Sequence, residues 1–216
     1  MTPVPTTVEL RVKRFDPGVD KQPYYQNYNL AVNPTGETVL GLLNRIVQEQ
    51  DGSLSFRSVC RAGICGSDAL FINGRHLLAC QTQIGALKLP VTVEPLPGYP
   101  VIKDLVVNMD PFFEKYESVK PYLIEPSDNI GEKEERIQSP KQLDKIDIFT
   151  TCILCGACFS ACPIVWTDGD YLGPQALGKA FRFVEDSRDA GKTPRLRLID
   201  SEEGPFRCHQ TFECVE

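Results

Sequence analysis

No apolar run in the sequence approaches the roughly 20 residues that a helix needs to cross a bilayer. The chain is therefore expected to be soluble, with any membrane attachment made through a partner. The N-terminus, Met1-Thr2-Pro3-Val4-Pro5, has neither a charged start nor an apolar stretch, so no secretory signal is expected. A basic stripe is missing, and the net charge of −6 at pH 7 speaks against nucleic-acid binding. Repeats and low-complexity tracts are absent. Histidine and tryptophan are scarce, with His76, His209 and Trp166 the full supply.

Cysteine, in contrast, is plentiful. There are nine: Cys60, Cys65, Cys80, Cys152, Cys155, Cys158, Cys162, Cys208 and Cys214. An odd number in a chain without an export signal is a poor disulfide framework. Thiols clustered at short fixed spacings in a reducing compartment read as metal ligands.

A chain of 216 residues has room for two small domains, each with its own core. Val8, Leu10 and Val12 alternate with charged residues, and Tyr28, Leu30 and Val32 repeat the pattern, which predicts two half-buried strands. Thr38 caps a predicted helix with Val39, Leu42, Leu43, Ile46 and Val47 on one face, ending near Asp51-Gly52. Leu70-Phe71-Ile72 and Leu77-Leu78-Ala79 flank Asn73-Gly74, a strong hairpin signal. Val91 and Val93 predict a last strand. Pro95, Pro97, Gly98 and Pro100 then punctuate the chain, and helical character follows. Phe112, Phe113 and Tyr116 fall on helical spacing after Asp110-Pro111. Ser139-Pro140 reads as an N-cap with proline at the first helical position. Ala176, Leu177, Ala180, Phe181 and Val184 predict another apolar helix face, ending near Ala190-Gly191. Segment 125–139, with its run Glu132-Lys133-Glu134-Glu135-Arg136, reads as an exposed connection. The fold class is α+β, with a sheet domain over 1–104 and a mainly helical domain over 105–216.

Cys60, Cys65, Asp68 and Cys80 have the spacing of a plant-type [2Fe–2S] site with aspartate in the third ligand position. The loop must point amide N–H groups at sulfur, and Gly63 and Gly66 allow the backbone to approach. A carboxylate is harder than a thiolate, yet ferric iron accepts oxygen donors. Asp68 is read as a ligand, against a surface aspartate with the cluster lost, or ligation by Ser67 or water.

Cys152, Cys155, Cys158 and Cys162, followed by Pro163, match C-x2-C-x2-C-x3-C-P without departure. In two-cluster ferredoxins the first three cysteines of such a run bind one cubane and the fourth binds the other. A zinc site is the rival, but zinc favours paired C-x2-C knuckles. Cys162, Cys208 and Cys214 supply three thiolates for a second cluster, which suits [3Fe–4S]. The [4Fe–4S] site then has Cys152, Cys155 and Cys158, one ligand short.

A plant-type ferredoxin domain followed by this cysteine series resembles the iron–sulfur subunit of succinate dehydrogenase and quinol:fumarate reductase. The resemblance covers nearly the whole chain. It includes Leu10 to Pro17, Ser58 to Ser67, Ile72-Asn73-Gly74, Val101 to Leu105 and Cys152 to Gly156. It implies a β-grasp plant-type ferredoxin domain followed by a bacterial-ferredoxin-like helical domain. It also implies a wire of [2Fe–2S], [4Fe–4S] and [3Fe–4S] clusters between a flavoprotein subunit that carries FAD and a quinone at membrane anchor subunits. Members with aspartate at the position of Asp68 belong to that family. Pro163, Trp166 and His209 match positions that line its quinone site, and a frequent second tryptophan is here Thr167. The other readings are an ordinary core or interface aromatic for Trp166 and a donor to cluster sulfur for His209. The location implied is peripheral, on the cytoplasmic face of the inner membrane, in the respiratory chain and tricarboxylic acid cycle. The chain has no acid–base set for a dicarboxylate, which places that chemistry on the flavoprotein.

In that family a cysteine followed by proline stands four residues past the position of Cys214. The sequence is therefore expected to be incomplete at its C-terminus; the alternative is water or an external ligand completing the cubane. Two rival functions remain. One is a free multi-cluster electron carrier. The other is physiological fumarate reduction, toward which Gly156-Ala157 leans.

Overall fold

The computed structural model describes residues 6–32, 36–125 and 135–215. Met1 to Pro5 and residues 126–134, which hold most of the predicted exposed connection, lie outside the described residues. Two compact units are present. The first comprises residues 1–109 and 153–160, the second residues 110–152 and 161–216.

In the first unit, β1 (Thr6–Arg14) and β2 (Tyr24–Val32) precede α1 (Val39–Glu49), and β3 (Ala69–Ile72), β4 (Arg75–Leu78) and β5 (Val91–Glu94) follow. The five strands form one mixed sheet in the order β2-β1-β5-β3-β4, in which β1 pairs antiparallel with β2 and parallel with β5. The alternation read in the sequence is the burial pattern: Val8, Leu10 and Val12 point into a core shared with Val39, Leu42, Leu43 and Ile46 of α1. Burying each such side chain contributes about 1.5–3 kcal/mol. Thr38 caps α1 through its hydroxyl, which accepts from the Gly41 amide at 3.1 Å. Leu43→Ala is expected to destabilise this unit by about 2–5 kcal/mol, because Leu43 is fully buried. Denaturant titration followed by far-UV circular dichroism checks it.

Asn73 and Gly74 join β3 to β4 with φ of 47° and 81°, the doubly positive pair of a type I′ hairpin. The turn matters because its return strand leads directly to Cys80.

Arg14, at the end of β1, is a buried hub. Its guanidinium donates to Asp104 at 2.9 Å, Asp51 at 2.5 Å, Tyr28 at 2.6 Å and Ser53 at 2.9 Å. Asp104 in turn accepts from the Phe15 and Ser55 amides. The hub thus ties β1 to the chain that leads from α1 into the first cysteine loop.

Helical character does not follow the proline-rich stretch at once. A small ribbon of β6 (Val101–Lys103) and β7 (Val106–Val107) comes first. Asp104 sits at its turn with φ of 49°, and its burial in the Arg14 hub holds the ribbon's shape.

The helices that follow are α2 (Asp110–Ser118), α3 (Pro140–Leu143), α4 (Asp147–Thr150), α5 (Ala157–Ala161), α6 (Pro163–Thr167), α7 (Gly173–Val184) and α8 (Lys192–Ile199). Ser139 caps α3, reciprocated by Gln142 in a capping box, but the helix is a single turn. In the second unit α7 packs against α2, α4 and α8. Its buried face carries Ala176, Ala180 and Phe183, whereas Phe181 is 45% exposed, against the sequence expectation. The helix also ends at Val184, earlier than the expected Ala190-Gly191. Asp186, buried, accepts from the Arg188 amide and guanidinium, and this local turn competes with further helix. Gly191 instead precedes α8 as its N-cap residue. Arg195 of α8 is fully buried and donates to the carbonyls of Val119, Lys120 and Tyr122 and to Asp189. Among the described residues no helix is long and apolar enough to cross a membrane.

Candidate metal centres

Among the described residues no group of three or more His, Cys, Asp or Glu closes on a single metal ion. The candidate ligands lie on loops shaped by hydrogen bonds and positive-φ residues.

The first loop turns back on Cys60. The amides of Ala62, Ile64 and Cys65 donate to Cys60 Sγ at 3.4, 3.4 and 3.3 Å, and the Cys60 amide donates to Cys65 Sγ at 3.5 Å. Arg61, Gly63 and Gly66 take φ of 58°, 72° and 68°, which is what turns successive N–H groups toward one sulfur. Hydrogen bonds from the Ser67 hydroxyl, the Cys60 amide and the Ser67 amide hold the Cys65 thiol down to about 6, so it is mostly thiolate at neutral pH. The Ser58 hydroxyl, two residues before Cys60, is buried with no hydrogen-bond partner among the described residues. A donor-rich, sulfur-centred cradle of this kind fits an iron–sulfur cluster, whose sulfides accept hydrogen bonds.

Asp68 is 3% exposed. One of its carboxylate oxygens accepts from the Cys80 amide at 2.5 Å. Burial pushes the Cys80 thiol up, and its hydrogen bond with the Asp68 carboxylate pushes the same way. Asp68 and Cys80 are thus brought side by side. Asp68 is buried, where the alternative reading had it at the surface.

The run Cys152–Cys162 is divided between the units. Cys155 and Cys158 belong to the first, Cys152 and Cys162 to the second. Leu154 and Gly156 take φ of 55° and 79°, so the chain around Cys155 is turned by two successive positive-φ positions. A Cβ on Gly156 would stand 2.7 Å from the Tyr99 hydroxyl, which donates to the Gly156 carbonyl at 3.2 Å. Burial raises the Tyr99 hydroxyl well above the usual phenol range, and Cys158 and Cys155 nearby add to the effect. On the other side, a Cβ on Gly66 would lie 2.6 Å from Cys155 Cβ and 2.8 Å from its Cα. The Cys60–Asp68 loop therefore touches Cys155.

In the second unit Cys162, 8% exposed, precedes α6 and packs with Ile164 and Tyr171. Burial raises the Tyr171 hydroxyl, and Cys208, Cys162 and Cys214 all push it further. Cys214 is raised by burial and by Cys162 and Cys208. Cys162, Cys208 and Cys214 are therefore gathered around Tyr171. Gln210 and Phe212 take φ of 55° and 63°, bending the loop that carries Cys208 and Cys214.

A cleft of about 440 Å³ lies beside this group, lined by Ile164, Thr167, Asp168, Arg207 and His209. Asp168 and Arg207 are ion-paired within it. Of the three quinone candidates, His209 lines the cleft; Pro163 opens α6 and Trp166 is 54% exposed on the same helix. The Thr167 hydroxyl donates back to the Pro163 and Ile164 carbonyls. Tyr99, Tyr171 and the Asp168–Arg207 pair were not singled out from the sequence. Aromatic residues and charges carry no spacing signal, so even Arg207, next to Cys208, went unmarked.

The family described as 2Fe-2S iron-sulfur cluster binding domain matches residues 9–114, and the 4Fe-4S dicluster domain matches residues 144–216. A relative from Coxiella burnetii, named succinate dehydrogenase iron-sulfur subunit, is 40% identical over 206 residues, covering 94% of this chain and 86% of the relative. Among solved structures, a chain of the Mycobacterium smegmatis Sdh1 complex in the apo form superposes with a TM-score of 0.86 at 29% identity, covering 98% of this chain and 87% of that one. A hypothetical protein from Helicobacter pylori, 18% identical with a TM-score of 0.54, shares the fold over 94% of this chain and 34% of its own.

Proposed function

The chain belongs to the family of succinate dehydrogenase iron–sulfur subunits, and on that premise we propose that it carries electrons between a flavoprotein subunit and membrane quinone through three iron–sulfur clusters. Cys60, Cys65, Asp68 and Cys80 hold [2Fe–2S]; Cys152, Cys155 and Cys158 hold [4Fe–4S]; Cys162, Cys208 and Cys214 hold [3Fe–4S]. When bound, the clusters supply one-electron carriers, and the protein sets their separation and potential through ligands, hydrogen bonds and burial. The observation that carries this reading is the direct contact of Gly66 with Cys155, which leaves no insulating layer between the first two ligand sets.

In this reading the N-terminal unit is a β-grasp plant-type ferredoxin domain that faces the FAD-bearing flavoprotein. The following domain is bacterial-ferredoxin-like and faces the anchor. The subunit is peripheral, on the cytoplasmic face of the inner membrane, and serves succinate oxidation in the respiratory chain and tricarboxylic acid cycle. Purification of the native subunit tests the assembly: a flavoprotein and a membrane anchor should accompany it. Recovery of the chain alone, with all clusters, would instead mean a free carrier.

Asp68→Ala is expected to make the first cluster labile or shift its potential, while Asp68→Cys keeps the cluster. Redox titration of the [2Fe–2S] EPR signal decides, and an unchanged potential in Asp68→Ala would show that the carboxylate is not a ligand. His209, in the cleft beside the third ligand set, is expected to serve the quinone. His209→Ala should slow quinone reduction several-fold while succinate still reduces the clusters. Wild-type quinone reduction in that variant would place the site elsewhere.

A further inference from the structure

We infer that His76 is a positioning residue, fixing the segment that carries Cys155 and Cys158 against the hairpin that leads to Cys80 through one hydrogen bond to Ser160. The inference rests on the assignment of these cysteines to the first two clusters. His76 lies on β4, its ring tilted against Phe71 at a centroid distance of 5.0 Å. Its Nε2 is 3.0 Å from the Ser160 hydroxyl oxygen. Ser160 is completely buried on α5, two residues past Cys158.

The direction of the bond follows from counting protons. A serine hydroxyl has one proton, and Ser160 donates it to the Pro97 carbonyl at 2.6 Å. The hydroxyl can therefore only accept from His76, and the imidazole must carry its proton on Nε2. Burial lowers His76 below the ordinary imidazole range, so the ring is neutral with that one N–H. The chain Nε2–H to Ser160 to Pro97 closes with every proton used.

Besides the Ser160–Pro97 bond, the segment is held at other points that do not involve the hairpin. Tyr99 donates to the Gly156 carbonyl and stacks on Phe159 at 5.2 Å, and Gly66 meets Cys155 in backbone contact. His76–Ser160 is thus a side-chain tie from the hairpin that ends at Cys80 to the helix that carries Cys158. Dipolar coupling between two paramagnetic clusters falls with the cube of their separation, and electron transfer falls exponentially, so both report a small slip of this segment.

The test uses the intact membrane complex carrying His76→Phe, which keeps the ring and loses the donor, and His76→Gln, whose amide N–H reaches the Nε2 position. Ser160→Ala removes the bond from the other side. In the fully reduced complex, the dipolar coupling between the first two cluster signals is measured by EPR, together with each potential. His76→Phe and Ser160→Ala should keep both signals while weakening the coupling and slowing intercluster transfer several-fold; His76→Gln should restore both. Wild-type coupling in His76→Phe overturns the inference. So does equal impairment in His76→Phe and His76→Gln, or loss of a cluster from both His76→Phe and Ser160→Ala. Absence of either signal from the unaltered complex overturns the cluster assignment itself, and this inference with it.

Discussion

Replacing Cys162 with alanine is expected to remove the third cluster and reduce quinone reductase activity to background, while the [2Fe–2S] signal persists. Cys162 is the natural pivot of its site. It is buried, it precedes Pro163 at the first position of α6, and proline fixes the backbone there. Cys208 is exposed and Cys214 half-buried, so Cys162 supplies the rigid thiolate about which the 208–214 loop closes. Three ligands are the minimum for the cluster proposed, and alanine leaves two. The first ligand set lies in the other compact unit with its own core, which is why its signal should survive. EPR of the oxidised complex reads the third cluster directly. A normal third-cluster signal in the Cys162→Ala protein would remove Cys162 from the ligand set.

The second large effect is on stability. Arg14→Ala should destabilise the first unit by about 3–5 kcal/mol, the cost of stranding buried charge. Asp104 is 2% exposed and would lose its cationic partner, and Asp51 would lose a donor. Against total stabilities of about 5–15 kcal/mol for a domain, this is a large fraction. The Asp104 carboxylate also holds the Ser55 amide, so the chain into the Cys60 loop should loosen and the first cluster should be lost at lower denaturant.

The hub also sets an acid limit. The Asp51 carboxylate is held well below its usual range by the Ser53 and Tyr28 hydroxyls, with Arg14 adding to them. A depressed folded value means stability that is full above the unfolded value of about 3.9 and lost as pH falls through the folded one. Arg14 is opposed by burial, but Asp104 and Asp51 outweigh it and keep the guanidinium charged throughout. Acid titration of the visible absorbance should therefore show this unit weakening only below about pH 4. Asp51→Asn should flatten that limb.

Much of the first unit was legible because its signals are local. The alternation in Val8, Leu10 and Val12, the Thr38 cap and the Asn73-Gly74 turn each act over a few residues, and each produced the element expected. The β6–β7 ribbon was not legible, since Asp104 at its turn is held by Arg14, ninety positions away. The early end of α7 came from a buried Asp186 that the helical periodicity of its neighbours concealed. Cysteine spacing identified candidate ligands because the loop chemistry fixes it. What surrounds them was hidden: Tyr171 and Tyr99 reach the cysteines only through the fold, and nothing in the run marks Ser160 as the partner of His76.

The central claim, three clusters in series between flavin and quinone, is tested most directly by an EPR-monitored redox titration of the intact complex. The account predicts three separately titrating signals: a [2Fe–2S] and a [4Fe–4S] cluster that are paramagnetic when reduced, and a [3Fe–4S] cluster that is paramagnetic when oxidised. A titration showing only the [2Fe–2S] signal, with zinc recovered in place of the remaining iron, would contradict it.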